Sequence, residues 1–406
     1  MNQFTLAPSR PARSSFHLPF VVPLPRLPWR GDLPPCDAAL TLSLLILALL
    51  GLPLLYSASY AVSLDLHQHP YQFVRHQALC LLIGGALMGV LSRWDLQHLR
   101  QRVPWFFVAT VLLLIGVLFL GKRSDHDHFA RWLRWGPLSF QPSELAKFAA
   151  ILMIAYLVSQ IGPRVFREWL DWLVLPPIGL VLALVLVEPH LSATLLISTT
   201  AAIMLYIAGA KLSEFVKLIG FGFVLLLLLF VATRFFPPAR AKFDYQLNRV
   251  AVHLGLTPKP DDDQYQPRHS AAALKRGGLL GVGFCKGRGK LGYMPAVQND
   301  FIFAAIGEEW GFFGCVAMLA LFCWLIARIC HVAYLCNDQF ASLVCAGVAA
   351  LIALQVSANV AVATMLIPTT GVALPFVSAG GSGLVMLLSA MGLVLNASRT
   401  SKQRPD

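Results

Sequence analysis

Charged residues are scarce in this sequence. Only 13% of its 406 residues are Asp, Glu, Lys or Arg, whereas 57% are hydrophobic and the mean hydropathy is +0.67. These proportions exclude an ordinary soluble domain, and the apolar stretches approach the roughly twenty residues that span a bilayer. The stretches also lack the alternation of a membrane β-barrel. Because every backbone polar group must be satisfied within lipid, the sequence predicts an all-α, polytopic membrane protein.

Ten apolar spans are predicted, with a long outer loop between the seventh and the eighth. They lie near residues 38–60, 77–93, 103–121, 142–160, 170–187, 190–209, 213–235, 306–333, 340–364 and 379–397. Arg and Lys in the short loops favour cytoplasmic placement of both termini. We therefore expect a disordered basic cytoplasmic tail (1–36), a domain in the cytoplasmic membrane (37–398, outer loop about 236–299) that contacts membrane lipid, and a second cytoplasmic tail (399–406).

The cysteines form no recognisable framework. There are eight, and only Cys285 lies in the predicted outer loop, so no structural disulfide is expected. The absence of a CxxC pair argues against a zinc or redox site, and we expect no organic cofactor. The net charge of +12 does not predict nucleic-acid binding, because the basic residues are divided between the two sides of the membrane and no recognition module is present.

One carboxylate, Asp300, stands between a basic polar loop and a long apolar run, within MPAVQNDFIFAAIGEEWG (294–311). A charge at the mouth of a membrane segment is costly unless it is paired or functional. We therefore predict that Asp300 is catalytic. Glu308 and Glu309 follow in the same run, and because adjacent helical residues point in different directions, at most one of them can share the face of Asp300.

A cluster of cations precedes this carboxylate. Arg276, Lys286, Arg288 and Lys290 lie in the glycine-rich stretch RGGLLGVGFCKGRGKLGYMP (276–295), where they could bind the diphosphate of an anionic lipid at the bilayer surface. Glycine lets backbone amides approach a phosphate closely, but the Walker spacing of a nucleotide-binding loop is absent. A solvated, flexible cationic loop outside the bundle is the alternative interpretation.

Glu144 and Lys147 lie three residues apart in the fourth predicted span, on one face of a helix. This spacing allows an ion pair that lowers the cost of burial for both. A purely structural pair and direct contact with a substrate or with Asp300 both remain open. His190, at an outer turn, is more typical of a structural histidine than of a ligand. Residues 125–128, Asp-His-Asp-His, are predicted to form a solvated turn.

Five groups of motifs occur in a characteristic order along the spans. They are YSAS (56–59) with YQFVRHQ (71–77), ARWLRWGPLSFQPSELAK (130–147), EPHLSAT (188–194), NDFIFAAIGEEWG (299–311) and LIPTTGVALPFVSAGGSG (366–383). Through them, and over nearly its whole length from the first span, the chain resembles the SEDS family of shape, elongation, division and sporulation proteins, which includes FtsW, RodA and SpoVE. It departs from the family at Ala296, where an acid is usual, and at His190, where Asp is usual.

The resemblance implies a peptidoglycan glycosyltransferase that polymerises lipid II into glycan strands. It also implies a partner, a class B penicillin-binding protein that acts as the transpeptidase. The extended N-terminal tail is more like that of FtsW than that of RodA. We therefore expect a role in cell division, at the septum and together with other division proteins.

The same resemblance assigns site residues. The essential aspartate of the family falls on Asp300, its conserved Glu and Lys of the fourth span fall on Glu144 and Lys147, and its loop arginine falls on Arg131. Further residues that support the site lie in the closing motif: Ser378, Gly380 and Gly381. The prolines and glycines of this motif break the helical pattern where a polar chamber would need irregular backbone.

The expected chemistry suits these residues. A sugar 4-hydroxyl of the acceptor loses a proton as it attacks the anomeric carbon of the donor, and undecaprenyl diphosphate leaves from the opposite face. Asp300 can act as the base, or it can ligate a divalent cation, Mg²⁺ or Mn²⁺, that offsets charge on the diphosphate. Two other functions stay open: a lipid II flippase, which would need polar residues through the membrane thickness, and a non-catalytic division scaffold.

Overall fold

The computed structural model describes residues 36–65, 69–120, 122–124, 127–135, 138–161, 173–188, 190–211, 265–290 and 297–401, with isolated positions between 215 and 224. Ten helices lie within these ranges: α1 (Ala38–Asp65), α2 (Gln72–Leu91), α3 (Leu96–Leu120), α4 (Pro142–Ile161), α5 (Leu175–Val187), α6 (Leu191–Ile207), α7 (Tyr265–Gly277), α8 (Ile302–Leu335), α9 (Gln339–Ala363) and α10 (Gly381–Ser401).

Seven of these helices, α1 to α4 and α8 to α10, are long and apolar enough to cross a membrane. The apolar helices α5 and α6 are shorter, with 13 and 17 residues. In the described part of the chain, helices thus occupy nine of the ten predicted spans, and the protein is a multi-pass membrane protein. The seventh predicted span (213–235) and most of both predicted tails lie outside the described residues.

The prediction of an all-α chain omitted a small antiparallel sheet between α3 and α4. Its strands, β1 (Lys122–Ser124), β2 (Asp127–Trp135) and β3 (Leu138–Phe140), follow one another in the order β1-β2-β3. Leu133 pairs with Phe140 and Trp135 pairs with Leu138. Aromatic residues favour strands. Antiparallel pairing supplies hydrogen-bond partners to the backbone groups between α3 and α4, which have none from a helix. The fold is therefore mostly helical rather than purely helical.

The described part of the predicted outer loop also contains regular structure. Its helix α7 packs against α8, and Lys275 and Arg276 in its last turn interact favourably with the negative end of the helix dipole. The loop interpretation had placed this stretch outside the bundle. The physical reason for the difference is a break in α8 at Gly311, against which the residues after α7 pack.

The centre of the bundle consists of α4, α9 and α10. The apolar stretches of these helices are 67%, 72% and 72% buried, whereas that of α2 is 17% buried. The peripheral helices present large apolar side chains outward, among them Leu82 on α2 and Phe119 on α3. Such surfaces suit lipid. Helix α2 lies alongside α10, and α1 packs against α8, so the polar ends of the central helices are enclosed on several sides.

Candidate active site

Six of the predicted site residues meet at one cavity of about 720 Å³. Asp300, Glu144, Lys147, Ser378, Gly380 and Gly381 all line it. Its walls come from α2, β2, β3, α4, the starts of α6 and α7, the residues before α8, α9, the irregular segment between α9 and α10, and the first two turns of α10. The cavity therefore collects polar residues that are far apart in the sequence.

Asp300 is positioned through its backbone and its neighbours. The side-chain amide of Asn359, fully buried in α9, donates to the carbonyl oxygen of Asp300 at 2.9 Å and to that of Val372 at 2.8 Å. A Cβ atom added at Gly371 would lie 3.5 Å from Oδ2 of Asp300, so the carboxylate lies close to this glycine. One buried amide thus joins the backbone of Asp300 to the closing segment.

Glu144 and Lys147 form the ion pair that their spacing allowed. Lys147 Nζ donates to Glu144 Oε1 at 2.8 Å, and the two side chains are 4% and 19% exposed. A Cβ atom added at Gly383 would lie 3.0 Å from Glu144 Oε2, so the carboxylate rests against the first turn of α10. The pair is therefore both buried in the bundle and part of the cavity wall.

The closing segment between α9 and α10 is held in a constrained conformation. Ser378 Oγ accepts from the amide of Leu374 at 2.8 Å, and the carbonyl of Ser378 accepts from Gln77 on α2 at 3.0 Å. Phe376 is buried, lines the cavity and has a φ of 63°, a left-handed value that is unfavourable for a bulky residue. Residues held in such a conformation cluster at functional sites.

Several helices begin at this cavity. The residues that line it include Gln141 before α4, Ser192 in the first turn of α6, Asp300 before α8 and Gly381 at the start of α10. Helix N-termini carry unpaired amides and the positive end of the helix dipole. Their convergence, together with the Lys147 ammonium, makes the cavity suitable for an anion such as a diphosphate.

Comparison with known proteins agrees with this geometry. Residues 37–403 match the profile of a family described as "Cell cycle protein", which comprises FtsW, RodA and SpoVE. The chain belongs to the FtsW/RodA/SpoVE family. This is the SEDS family that the sequence motifs predicted.

The relatives match over most of their length. A probable peptidoglycan glycosyltransferase FtsW of Geobacter sp. (strain M18) is 32% identical over 367 residues, which are 89% of this chain and 96% of the relative. Stage V sporulation protein E of Bacillus subtilis is 33% identical over 374 residues, which are 90% of this chain and 98% of the relative. Among solved structures, a chain of a peptidoglycan synthase complex superposes with a TM-score of 0.72 at 27% identity and covers 91% of this chain and 99% of that one.

The SEDS arginine predicted at Arg131 lies in β2, and its side chain is outside the described part of the structure. Its neighbour Trp132 lines the cavity. His190, which we interpreted as structural, lines it too, and its Nδ1 contacts Ser143 Oγ at 3.1 Å. The EPHLSAT motif is the signal that could have placed His190 there, because within this motif His190 immediately precedes α6, which begins at the cavity.

The basic stretch, predicted from its charge and glycine content, does not line the cavity. Arg276, Lys286, Arg288 and Lys290 are not among the residues that line the cavity. Arg276 Nε contacts Glu308 Oε1 at 2.7 Å, and Lys290 Nζ contacts a carboxylate oxygen of Glu309 at 2.6 Å. Binding of the substrate diphosphate by this stretch stays a prediction, and two of its four cations have carboxylate partners within the protein.

Proposed function

We propose that this protein is an inverting peptidoglycan glycosyltransferase that polymerises lipid II at the outer face of the cytoplasmic membrane. One observation carries the proposal: a carboxylate, a buried ion pair and the N-terminal ends of several helices face a single cavity in a membrane-spanning bundle. The FtsW relative, itself described as a probable peptidoglycan glycosyltransferase, supports this activity.

In the proposed reaction, Asp300 accepts the proton of the acceptor's sugar 4-hydroxyl. The hydroxyl oxygen forms a bond to the anomeric carbon of the donor while the bond from that carbon to the diphosphate oxygen breaks, so the configuration inverts. General-base catalysis of this kind contributes about 10²- to 10⁴-fold. Asn359 supports this role because it restrains the backbone of Asp300 next to Gly371.

The diphosphate that leaves needs positive charge near it. Lys147 and the amides at these helix N-termini supply this charge in the proposed site. Such groups stabilise the charge that develops in the transition state without first having to reorganise. Arg131, which lies in β2 and matches the loop arginine of the family, is proposed to assist them.

A divalent cation, Mg²⁺ or Mn²⁺, is compatible with this site. Mg²⁺ is commonly bound by one or two carboxylates together with substrate phosphates and water. Asp300 would be the protein ligand of such a set, and no group of three or more His, Cys, Asp or Glu ligands occurs among the described residues. When bound, the cation would offset charge on the diphosphate.

The proposal extends to topology and partners. Ten membrane helices, with both termini in the cytoplasm, would place the cavity at the outer surface, where lipid II presents its sugars. A class B penicillin-binding protein is the proposed partner, supported by the similarity to a peptidoglycan synthase complex that couples polymerization with crosslinking. The similarity to an FtsW supports a role at the division septum with other division proteins.

The experiment that tests the proposal combines purified protein in vesicles with labelled lipid II. Glycan chains would support an enzyme, translocation without chains would indicate a flippase, and neither would indicate a scaffold. Asp300→Asn should insert normally but make no chains, because the amide keeps the size of the carboxylate and loses its basicity. Asp95→Asn, at a carboxylate between α2 and α3 and outside the cavity, is the matched control. More than about a tenth of the wild-type rate in Asp300→Asn would refute the assignment of the base.

A further inference from the structure

The chain after α7 pairs with the break in α8. The amide of Val282 donates to the carbonyl of Glu308 and that of Gly283 donates to the carbonyl of Glu309, both at 3.0 Å. In return, the amide of Phe312 donates to the carbonyl of Gly278 at 2.9 Å. Carbonyls at the end of a helical segment lack intrahelical donors. The outer segment supplies those donors to the first part of α8.

Glycine makes this close pairing possible. Gly311 has a φ of 67° and a ψ of −165°, a conformation that L side chains rarely adopt. A Cβ atom there would lie 2.3 Å from the amide nitrogen of Gly281, and one at Gly281 would lie 2.2 Å from the carbonyl oxygen of Glu309. The residues after α7 can therefore pack against the break in α8 only because glycine, which has no side chain, occupies both positions.

Two buried carboxylates reinforce this contact. Glu308 accepts from Arg276 Nε at 2.7 Å and from the amides of Arg288 and Gly289 at 3.1 and 2.9 Å. The Glu308 and Glu309 side chains are only 2% and 3% exposed. A buried charge is costly unless it is paired and hydrogen-bonded. This arrangement is therefore an integral part of the fold and not a chance surface contact.

Glu309 joins three separate parts of the chain. Its Oε1 accepts from Lys290 Nζ at 2.6 Å and from Ser57 Oγ of α1 at 2.5 Å, and its Oε2 accepts from the amide of Cys285 at 3.1 Å. Lys290 also donates to Ser57 at 2.7 Å, and its side chain is 5% exposed. The ammonium is thus enclosed between α1 and α8, and it is not among the groups that line the cavity.

We propose that Lys290 and Glu309 are positioning residues for Asp300, an inference that rests on the proposed glycosyltransferase function. Asp300 lies ten residues after Lys290 and nine residues before Glu309, so the ion pair closes the stretch of chain that carries the catalytic carboxylate. Closing such a loop reduces the conformations available to its middle. The first part of α8, fixed at Glu309, then holds Asp300 at the cavity.

This role differs measurably from substrate binding by the same lysine. If Lys290 held the diphosphate of lipid II, its loss would weaken binding and raise KM. If it positions Asp300, its loss should lower kcat and leave KM nearly unchanged, because the group that acts only in the transition state is displaced. A misplacement of roughly 1 Å can reduce a rate about 100-fold.

The test compares Lys290→Met, Glu309→Gln and the double variant with wild-type protein. The rate of lipid II polymerisation is measured at several lipid II concentrations, at a temperature below the melting temperature of every variant. We expect kcat to fall about 10- to 100-fold with KM within about twofold, and the double variant to be no worse than either single one. Lys290→Arg should retain most of kcat. Lys275→Gln, at an exposed cation of α7 that does not line the cavity, is the matched control and should behave as wild type.

A raised KM with unchanged kcat would overturn the proposal in favour of substrate binding, and a lower melting temperature with wild-type kcat would overturn it in favour of a structural role alone. If Lys290→Met cannot be purified, Ser57→Ala distinguishes positioning from a purely structural role, because it removes the hydroxyl that bonds to the ion pair and leaves both charges. A lower kcat at unchanged KM would support positioning, and a wild-type kcat would refute it. Absence of glycan chains from wild type and Lys275→Gln alike would instead refute the proposed function, and the positioning role with it.

Discussion

The ion pair between Glu144 and Lys147 leads to a quantitative prediction. Lys147 is only 4% exposed, so Glu144→Gln would leave a buried ammonium without its carboxylate, at a cost of about 3–5 kcal/mol in the free energy of unfolding. Lys147→Met should cost less, about 1–3 kcal/mol, because Glu144 is 19% exposed and reaches the cavity. The double variant removes both charges and keeps similar volumes, so most of the loss should be recovered.

The assay is a double-mutant cycle in which unfolding of the purified protein is followed in detergent by thermal or chemical denaturation. The coupling between the two positions should be at least about 1 kcal/mol, since groups in direct contact couple by about 0.5–3 kcal/mol. Losses that simply add would refute the reasoning. Lipid II polymerisation by the double variant then separates the two interpretations of the pair. Recovered stability with recovered activity would indicate a structural pair, and recovered stability without activity would indicate contact with substrate.

Three further predictions follow from the described contacts. Gly311→Ala should prevent stable folding, because a Cβ atom there would lie 2.3 Å from a backbone nitrogen; recovery of folded protein after detergent extraction measures this. Asn359→Leu should abolish polymerisation and lower the melting temperature, because two carbonyls lose their shared donor. Burial alone would raise the pKa of Asp37, but hydrogen bonds from Leu40 and Arg328 and the charge of Arg328 lower it below the ordinary value of 3.8. Its stabilising effect should therefore be present above pH 3.8 and lost as the pH falls further, so the difference in melting temperature between wild type and Asp37→Asn should shrink in that range.

Much of the bundle could be predicted because membrane helices satisfy their own backbone groups. A run of about twenty apolar residues has few other structures available in lipid, so the positions of α1 to α4 and α8 to α10 follow from local composition. The pair formed by Glu144 and Lys147 was predictable for a similar reason, since helical spacing alone brings positions three apart together. The short strands β1 to β3 were missed, because such short segments carry a weak local signal and composition alone does not indicate how they pair.

For the basic stretch, the sequence did not predict the tertiary contacts. Lys290 and Arg276 suggested a diphosphate site because they precede Asp300 and lie among glycines. Their partners, Glu309 and Glu308, follow in the same sequence motif. The sequence could not indicate, however, that α8 breaks at Gly311 and that the residues after α7 pack into the break. Glycines of this stretch also permit close contact between two backbone segments.

The sequence by itself determined the class of protein, the family and the identity of Asp300 as the candidate catalytic group, because hydropathy, charge placement and ordered motifs are local properties of the chain. The tertiary structure decided which polar groups share a cavity with Asp300 and which neutralise one another elsewhere. Those outcomes depend on contacts between residues hundreds of positions apart, such as Ser57 with Glu309 and Gln77 with Ser378. A buried charge must find a partner wherever the packing brings one, and only the folded arrangement of helices determines where that is.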